Sequence, residues 1–89
     1  MKVYLAKQEC KGTYKFDRNI YYTKGMELEF GECIYEVIFK TLALICKLVK
    51  KNVADYFQVA YAENSEGKKV KFYIIDDVDH VTFLLPEEY

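Results

Sequence analysis

Between Gly31 and Asn52 the chain reads GECIYEVIFKTLALICKLVKKN, and no other stretch restricts the fold so strongly. Ile34, Val37, Ile38, Thr41, Leu42, Ile45, Leu48 and Val49 recur at the three- and four-residue spacing that gathers side chains on one helix face. Glu32 and Glu36 stand early and Lys47, Lys50 and Lys51 late, the order that the helix macrodipole favours. No Ser, Thr, Asp or Asn begins the stretch, so Gly31 is left as a weak N-cap, while Asn52 suits a left-handed ending. Phe39, Leu44 and Cys46 widen the apolar stripe, so such a helix needs cover on more than one side. A concave sheet supplies it, or a partner takes the second flank. The β-formers of Cys33–Phe39 keep a second pattern open, a strand there with the helix starting near Lys40. Glu36, Lys40 and Lys47 interrupt the run, which rules it out as a membrane span.

Residues 1–89 suffice for one domain with a single modest core. With 52% hydrophobic residues the composition is that of a folded domain, and a formal charge of −1 offers no global positive field to attract nucleic acid. Cys10, Cys33 and Cys46 are odd in number and lack metal-site spacing. Cys33 and Cys46 would stand roughly 20 Å apart along a helix, beyond disulfide reach. Free thiols and a polar N-terminus without a signal-type apolar core lead to the expectation of a cytoplasmic protein.

Taken in order, Met1–Glu9 alternates like a strand, and Tyr14–Phe16 is a short strand candidate among turn residues. Ile20–Thr23 and Met26–Phe30 read as β-runs joined at Lys24-Gly25 by a hairpin or a bulge. After the helix, Tyr56–Ala62 reads as a strand with Phe57, Val59 and Tyr61 on one face. Glu63–Lys69 is the clearest turn, Val70–Ile75 the returning strand, Asp76–Asp79 a second turn, and His80–Leu85 a last strand stopped by Pro86. Glu87, Glu88 and Tyr89 are expected to fray. The fold class is α+β: a mainly antiparallel, barrel-like or curved sheet of about five to six strands around one central helix.

The polar inventory is poor in catalytic pairings. Asp76, Asp77, Asp79 and His80 are clustered, but the glycine and downstream glutamate of a calcium loop are missing, so no metal site is expected. His80 has no nominated nucleophile, Arg18 is the single arginine, and no glycine-rich phosphate loop is present. Neither an enzyme nor a cofactor is expected.

Two lysine groups, Lys47, Lys50 and Lys51 and then Lys68, Lys69 and Lys71, form a basic patch for nucleic acid or nucleotide if the fold unites them, with Tyr56 or Tyr73 for base stacking. Nine tyrosines exceed what so short a chain can bury, and Tyr21-Tyr22, adjacent in a β-run, must point one of the two outward. Tyrosine beside carboxylates suits a protein-binding surface, built here from Tyr22, Glu27, Glu29 and Glu32. Tyr21, Tyr73, Asp76, Asp77 and Asp79 extend it toward a partner with a basic surface.

The C-terminal FYIIDDVDHVTFLLPEEY, with TKG at Thr23–Gly25 and IYEVI at Ile34–Ile38, resembles small SH3-like β-barrel proteins of phages and prophages. The resemblance covers about a third of the chain and departs from the pattern in the spacing of TKG and IYEVI and in the KTLALICKLVKKN segment. It implies a barrel, a strand at Cys33–Lys40 and no catalytic residues. By analogy with phage proteins that block host defence, anti-CRISPR proteins among them, it implies an inhibitor that occludes a host protein. The expectation is therefore a non-enzymatic binding protein of that kind. The alternatives are a nucleic-acid module using the lysines, and a homodimer that buries the spare helix flank. A monomer fits the first two, and no membrane association is expected.

Overall fold

The Gly31–Asn52 stretch does form the central helix. In the computed structural model, which describes residues Met1–Tyr89, α2 runs from Ile34 to Lys50 behind a turn of 3-10 helix at Gly31–Cys33. Cys33–Phe39 is thus helical, not strand. Ile34, Val37, Ile38, Thr41 and Ile45 are its buried residues, and the Thr41 hydroxyl donates to the Val37 carbonyl at 2.6 Å, which satisfies the one polar group on that face. Asn52 ends the helix in the left-handed region with φ 57°.

Five strands complete the α+β fold: β1 (Val3–Leu5), β2 (Asn19–Tyr22), β3 (Phe57–Glu63), β4 (Lys69–Asp76) and β5 (His80–Leu84). Their order across the sheet is β1-β3-β4-β5-β2. All neighbours are antiparallel except β2 and β5, which run parallel, so the sheet is mixed but mainly antiparallel. β1 and β2 occupy opposite edges and do not pair, so the sheet is open and curved cover comes from one side, not from barrel closure.

Alternation decides which side is covered. On β3 the small residues Ala60 and Ala62, with Gln58, face the helices, while Phe57, Val59 and Tyr61 face the other way. Beside them Val70, Phe72 and Ile74 of β4 and Val81 and Phe83 of β5 complete the sheet's half of the core. The Phe72 ring lies edge-on to Phe30 at 5.7 Å and stacked on Phe83 at 6.2 Å, so large rings on central strands fill the volume that the alanines leave.

Three expectations are corrected. Met26–Phe30 is no strand but most of a second helix, α1 (Lys24–Phe30), which buries Met26 and Phe30 one turn apart. Tyr14–Phe16 forms no strand; residues 6–18 cross from one sheet edge to the other as an irregular strap held by Gln8, whose amide bonds the Val53 carbonyl and the Asp55 N–H. The C-terminus does not fray. Pro86–Glu88 is a 3-10 turn, and the Tyr89 ring packs edge-on against Phe57 and Tyr73.

That turn returns Glu88 to the start of α1. The Thr23 side chain caps α1 by accepting from the Met26 N–H at 3.3 Å. Its hydroxyl donates to the Glu88 carboxylate, which also accepts from the backbone N–H of Gly25 at 3.2 Å and of Leu85 at 2.8 Å. A Cβ at Gly25 would sit 2.7 Å from a Glu88 oxygen, so a side chain there would displace the carboxylate. The Thr23 hydroxyl, foremost, with the Leu85 and Gly25 amides, holds the Glu88 carboxyl below its ordinary value despite some desolvation.

A carboxyl lowered in the native state stabilises the fold above its ordinary value and ceases to do so as pH falls through the lowered one. Glu88→Gln is expected to lower the Tm at neutral pH and to flatten the acid limb of a Tm-against-pH curve relative to wild type. Thermal melts from neutral to acid pH read both effects.

Candidate docking surfaces

The residues expected to form one acidic, tyrosine-rich face are divided by the fold. Adjacent on β2, Tyr21 and Tyr22 point to opposite sides of the sheet. Tyr22 faces the helical layer, where its ring meets that of Tyr35 edge-on at 6.1 Å with the two hydroxyls 3.4 Å apart. The Tyr35 hydroxyl, by its hydrogen bond and then its charge, pushes the Tyr22 phenol above its ordinary value, with desolvation and Glu27 adding to it. Tyr22 therefore keeps its proton at neutral pH.

Tyr35 was not singled out from the sequence as a site residue, nor was Phe39. Both are well exposed, at 59% and 68%, and they stand one turn apart on α2. Glu32 lies one turn before Tyr35, and Glu36 is paired to Lys40 at 3.0 Å and to the N-terminal ammonium at 3.9 Å. The first surface is thus a short aromatic ridge, Tyr22–Tyr35–Phe39, edged by Glu27, Glu32 and Glu36.

Glu29 belongs elsewhere. Its carboxylate accepts from the Asn64 amide at 3.3 Å and lies 4.0 Å from Lys68, tying α1 to the β3–β4 turn.

Of the aspartates of the β4–β5 turn, Asp76 is withdrawn from the surface. Asp76 is buried at 3% exposure, and its carboxylate accepts from the N–H of Phe16 and of Val78, both at 2.9 Å. Those two residues have positive φ, 53° and 83°, a conformation that costs a side chain with a Cβ and persists only when its surroundings hold it. Asp76 supplies that hold. Asp77 accepts from the N–H of Asp79 and His80 and meets the His80 imidazole at 3.0 Å, so it shapes the turn. Asp79 remains exposed.

A second surface lies on the uncovered sheet face. It carries Tyr4, Tyr61, Phe57, Tyr73 and Tyr21, of which the sequence reading named only Tyr21 and Tyr73 as site residues. In register, Tyr4 stands opposite Tyr61, and Tyr61 opposite Lys71. The Lys69 ammonium lies 4.9 Å from the Tyr61 ring centre and the Lys71 ammonium 5.9 Å from that of Tyr73. Phe57 and Tyr73 rings are 4.8 Å apart, and the Tyr21 ring meets His80 at 5.2 Å. Two shallow hollows flank Tyr61. One of about 570 Å³ is walled by Tyr56, Phe57, Tyr89 and Lys71 with Glu9 and Asp55 at its rim, and one of about 350 Å³ by Tyr4, Glu63 and Lys69.

The six lysines do not unite. Lys47, Lys50 and Lys51 end α2, near where the chain enters β3, and Lys68 sits in the turn at the far end of that seven-residue strand. A strand of that length spans about 20 Å. Lys69 and Lys71 alone share the open sheet face.

The three cysteines are free thiols, with Cys10 and Cys46 exposed. No helix is long and apolar enough to cross a membrane. Comparison with protein families, curated proteins and solved structures finds no match to this chain.

Removing the carboxylate of Asp76 leaves the Phe16 N–H unpaired and two strained residues unheld. Asp76→Ala is expected to destabilise the fold by about 3 kcal/mol, with Asp76→Asn intermediate. The shift in urea midpoint at constant m-value measures it.

Proposed function

We propose that this chain is a non-enzymatic binding protein that docks on a basic surface of another protein through the Tyr22–Tyr35–Phe39 ridge and occludes it. The observation that carries the reading is the exposure of Tyr35 and Phe39 on successive turns of the central helix. Rings presented by a rigid helix lose little conformational freedom on docking, and aromatic anchors of this kind dominate interface energetics. Glu27 and Glu32 lend the rim its charge, which favours a basic partner at short range and repels acidic ones.

The occupied partner surface would be blocked sterically, which makes the protein an inhibitor. The resemblance to phage and prophage proteins supports a phage- or mobile-element-encoded inhibitor of a host protein, a defence component included. Tyr21, Tyr73 and Asp76, expected on this surface, have other positions in the fold and are not part of it.

The reading is tested by capture from a nuclease-treated bacterial lysate with wild-type protein and three variants. The expected result is a stoichiometric protein partner that is lost with Phe39→Lys and retained with Lys71→Glu. Glu27→Lys with Glu32→Lys should weaken capture at least ten-fold at low salt, corresponding to about 1.4 kcal/mol or more. Capture unaffected by Phe39→Lys would overturn the assignment of the ridge. So would a concentration-dependent dimer abolished by Phe39→Lys, which would assign the ridge to self-association.

A further inference from the structure

β2 is the outermost strand on its side of the sheet, and one hydrogen bond shows which of its residues face outward. The Thr23 N–H donates to the Phe83 carbonyl of β5 at 3.1 Å. Main-chain groups of alternate residues point to the same side of a strand, so Tyr21 and Asn19 also turn theirs to β5. Ile20 and Tyr22 therefore direct their N–H and C=O groups away from β5, where the sheet has no further strand. Two donors and two acceptors stand on that edge, the two residues about 6.7 Å apart. No lysine, proline or bulge guards NIYY.

The opposite edge is guarded. The Ala6 N–H bonds the Val59 carbonyl at 2.8 Å, so Val3 and Leu5 of β1, and Met1 before them, turn outward. There Lys40 already donates to the Met1 carbonyl at 2.7 Å, and Glu36 meets the N-terminal ammonium at 3.9 Å. Charged side chains at an edge are a common defence against strand addition. The same contacts fix how α2 is turned. Glu36, Lys40 and Lys47 share the flank over β1, and Tyr35, Phe39, Leu42 and Cys46 share the opposite one. The Tyr22–Tyr35 ring contact lays this second flank on the side of β2. Phe39 and Cys46 are exposed on it and Leu42 is half-buried. On the sheet, Ile20 and Tyr22 are only partly covered by the core. An apolar strip thus accompanies the free edge of β2.

We propose that this edge takes an extended segment of a partner protein as a sixth strand, with every second side chain of the segment lying on Tyr35, Phe39 and Leu42. Charge alone does not choose the occupant, since Lys24 stands beside Glu27 and Lys40 pairs with Glu36. Main-chain chemistry does. A peptide main chain offers N–H and C=O groups in alternation at the repeat that Ile20 and Tyr22 present. A phosphate backbone brings acceptors without donors and would leave the outward carbonyls unmet. Strand addition draws affinity from the main chain and specificity from alternate side chains. Here the side that selects is aromatic, so the segment alternates apolar and polar residues. The inference rests on the ridge reading and adds the form in which the partner is held.

The test presents the full chain with a displayed library of peptides about ten residues long, enough to exceed the strand they join. Alternate positions are drawn from Val, Ile, Leu, Phe and Tyr, and the others from Ser, Thr and Lys. Selected peptides are synthesised in three forms: unmodified, N-methylated on the odd residues, and N-methylated on the even ones. Expected are saturable binding of the unmodified form and at least ten-fold weaker binding of one methylated form only, because a strand turns every second N–H to its neighbour. Docking through side chains alone would treat the two methylated forms alike. Amide exchange at Ile20 and Tyr22 should slow at least ten-fold in the complex, while Val3 and Leu5 stay as in the free chain.

Ile20→Pro removes an outward donor without breaking a bond to β5, and should weaken binding about ten-fold. The methylated peptides need no change to the protein and stand as the test if that variant does not fold. Lys71→Glu, on the other face of the sheet, should bind as wild type does. Failure to select any peptide, equal binding of the two methylated forms, or protection at Val3 and Leu5 in place of Ile20 and Tyr22 would overturn the proposal. So would protection of Ile20 and Tyr22 without peptide in a concentration-dependent dimer, which would assign the edge to a second copy of the chain. Two results separate this inference from the reading it rests on. Peptide binding lost with Phe39→Lys but indifferent to Ile20→Pro and to methylation would leave the ridge standing and remove strand addition. Binding lost with Ile20→Pro and unchanged in Phe39→Lys would keep the edge and remove the ridge.

Discussion

Ala60 and Ala62 present methyl groups beneath the helical layer where the strand could have presented rings. That choice sets the rest of the architecture. With small residues on β3, the long side chains of α2 and the rings Phe30, Phe72 and Phe83 share one dense core on a single side of the sheet. The same alternation then sends Phe57, Val59 and Tyr61 outward, because a strand cannot bury both of its faces against one helix layer. A one-residue slip would exchange the two sets and place bulky side chains in space meant for methyl groups. One-sided burial is therefore both what stabilises the domain and what leaves it an aromatic surface.

Much of this was legible in the sequence. The helix could be read because its apolar positions repeat over four turns, and the β3–β4 hairpin because Asn64, Ser65 and Gly67 leave the chain little else to do there. Met26–Phe30 misled for a physical reason. In MELEF, alternate spacing and one-turn spacing coincide at Met26 and Phe30, and only Leu28 tells the two patterns apart. As a strand residue Leu28 would share their face; in the structure it is 76% exposed. What tips the segment to helix lies far away in sequence, in the Glu88 carboxylate that meets Thr23 and Gly25. A contact across more than sixty residues leaves no local trace.

The candidate surfaces were legible in composition but not in arrangement. An excess of tyrosine announced exposed rings, and the pairing of Tyr21 with Tyr22 announced that they would divide between two faces. Which acids accompany which rings depended on the fold. Asp76 looks like a surface carboxylate in DDVD, yet it is withdrawn to hold Phe16 and Val78. Tyr35 and Phe39 were read as helix residues first, and the amphipathic count put Phe39 on a widened stripe without saying that the stripe would be left bare.

Charge is mixed on both surfaces, in keeping with a formal charge of −1: Lys40 pairs with Glu36 beside the ridge, and Glu63 stands opposite Lys69 on the open sheet face. The smallest extent of the molecule is 20 Å, and fields are screened over about 8 Å at physiological ionic strength. The charges of the helical side and those of the open sheet face therefore act on their surroundings separately, and the near cancellation over the whole chain describes neither. What cancellation does remove is long-range steering, which depends on net field. Recognition at both faces must then rest on short-range contact: rings that are already placed, and a few charges that work only once a partner has come within a Debye length. That is why the positions of individual aromatic side chains, set by the strand alternation at Ala60 and Ala62, matter more here than composition.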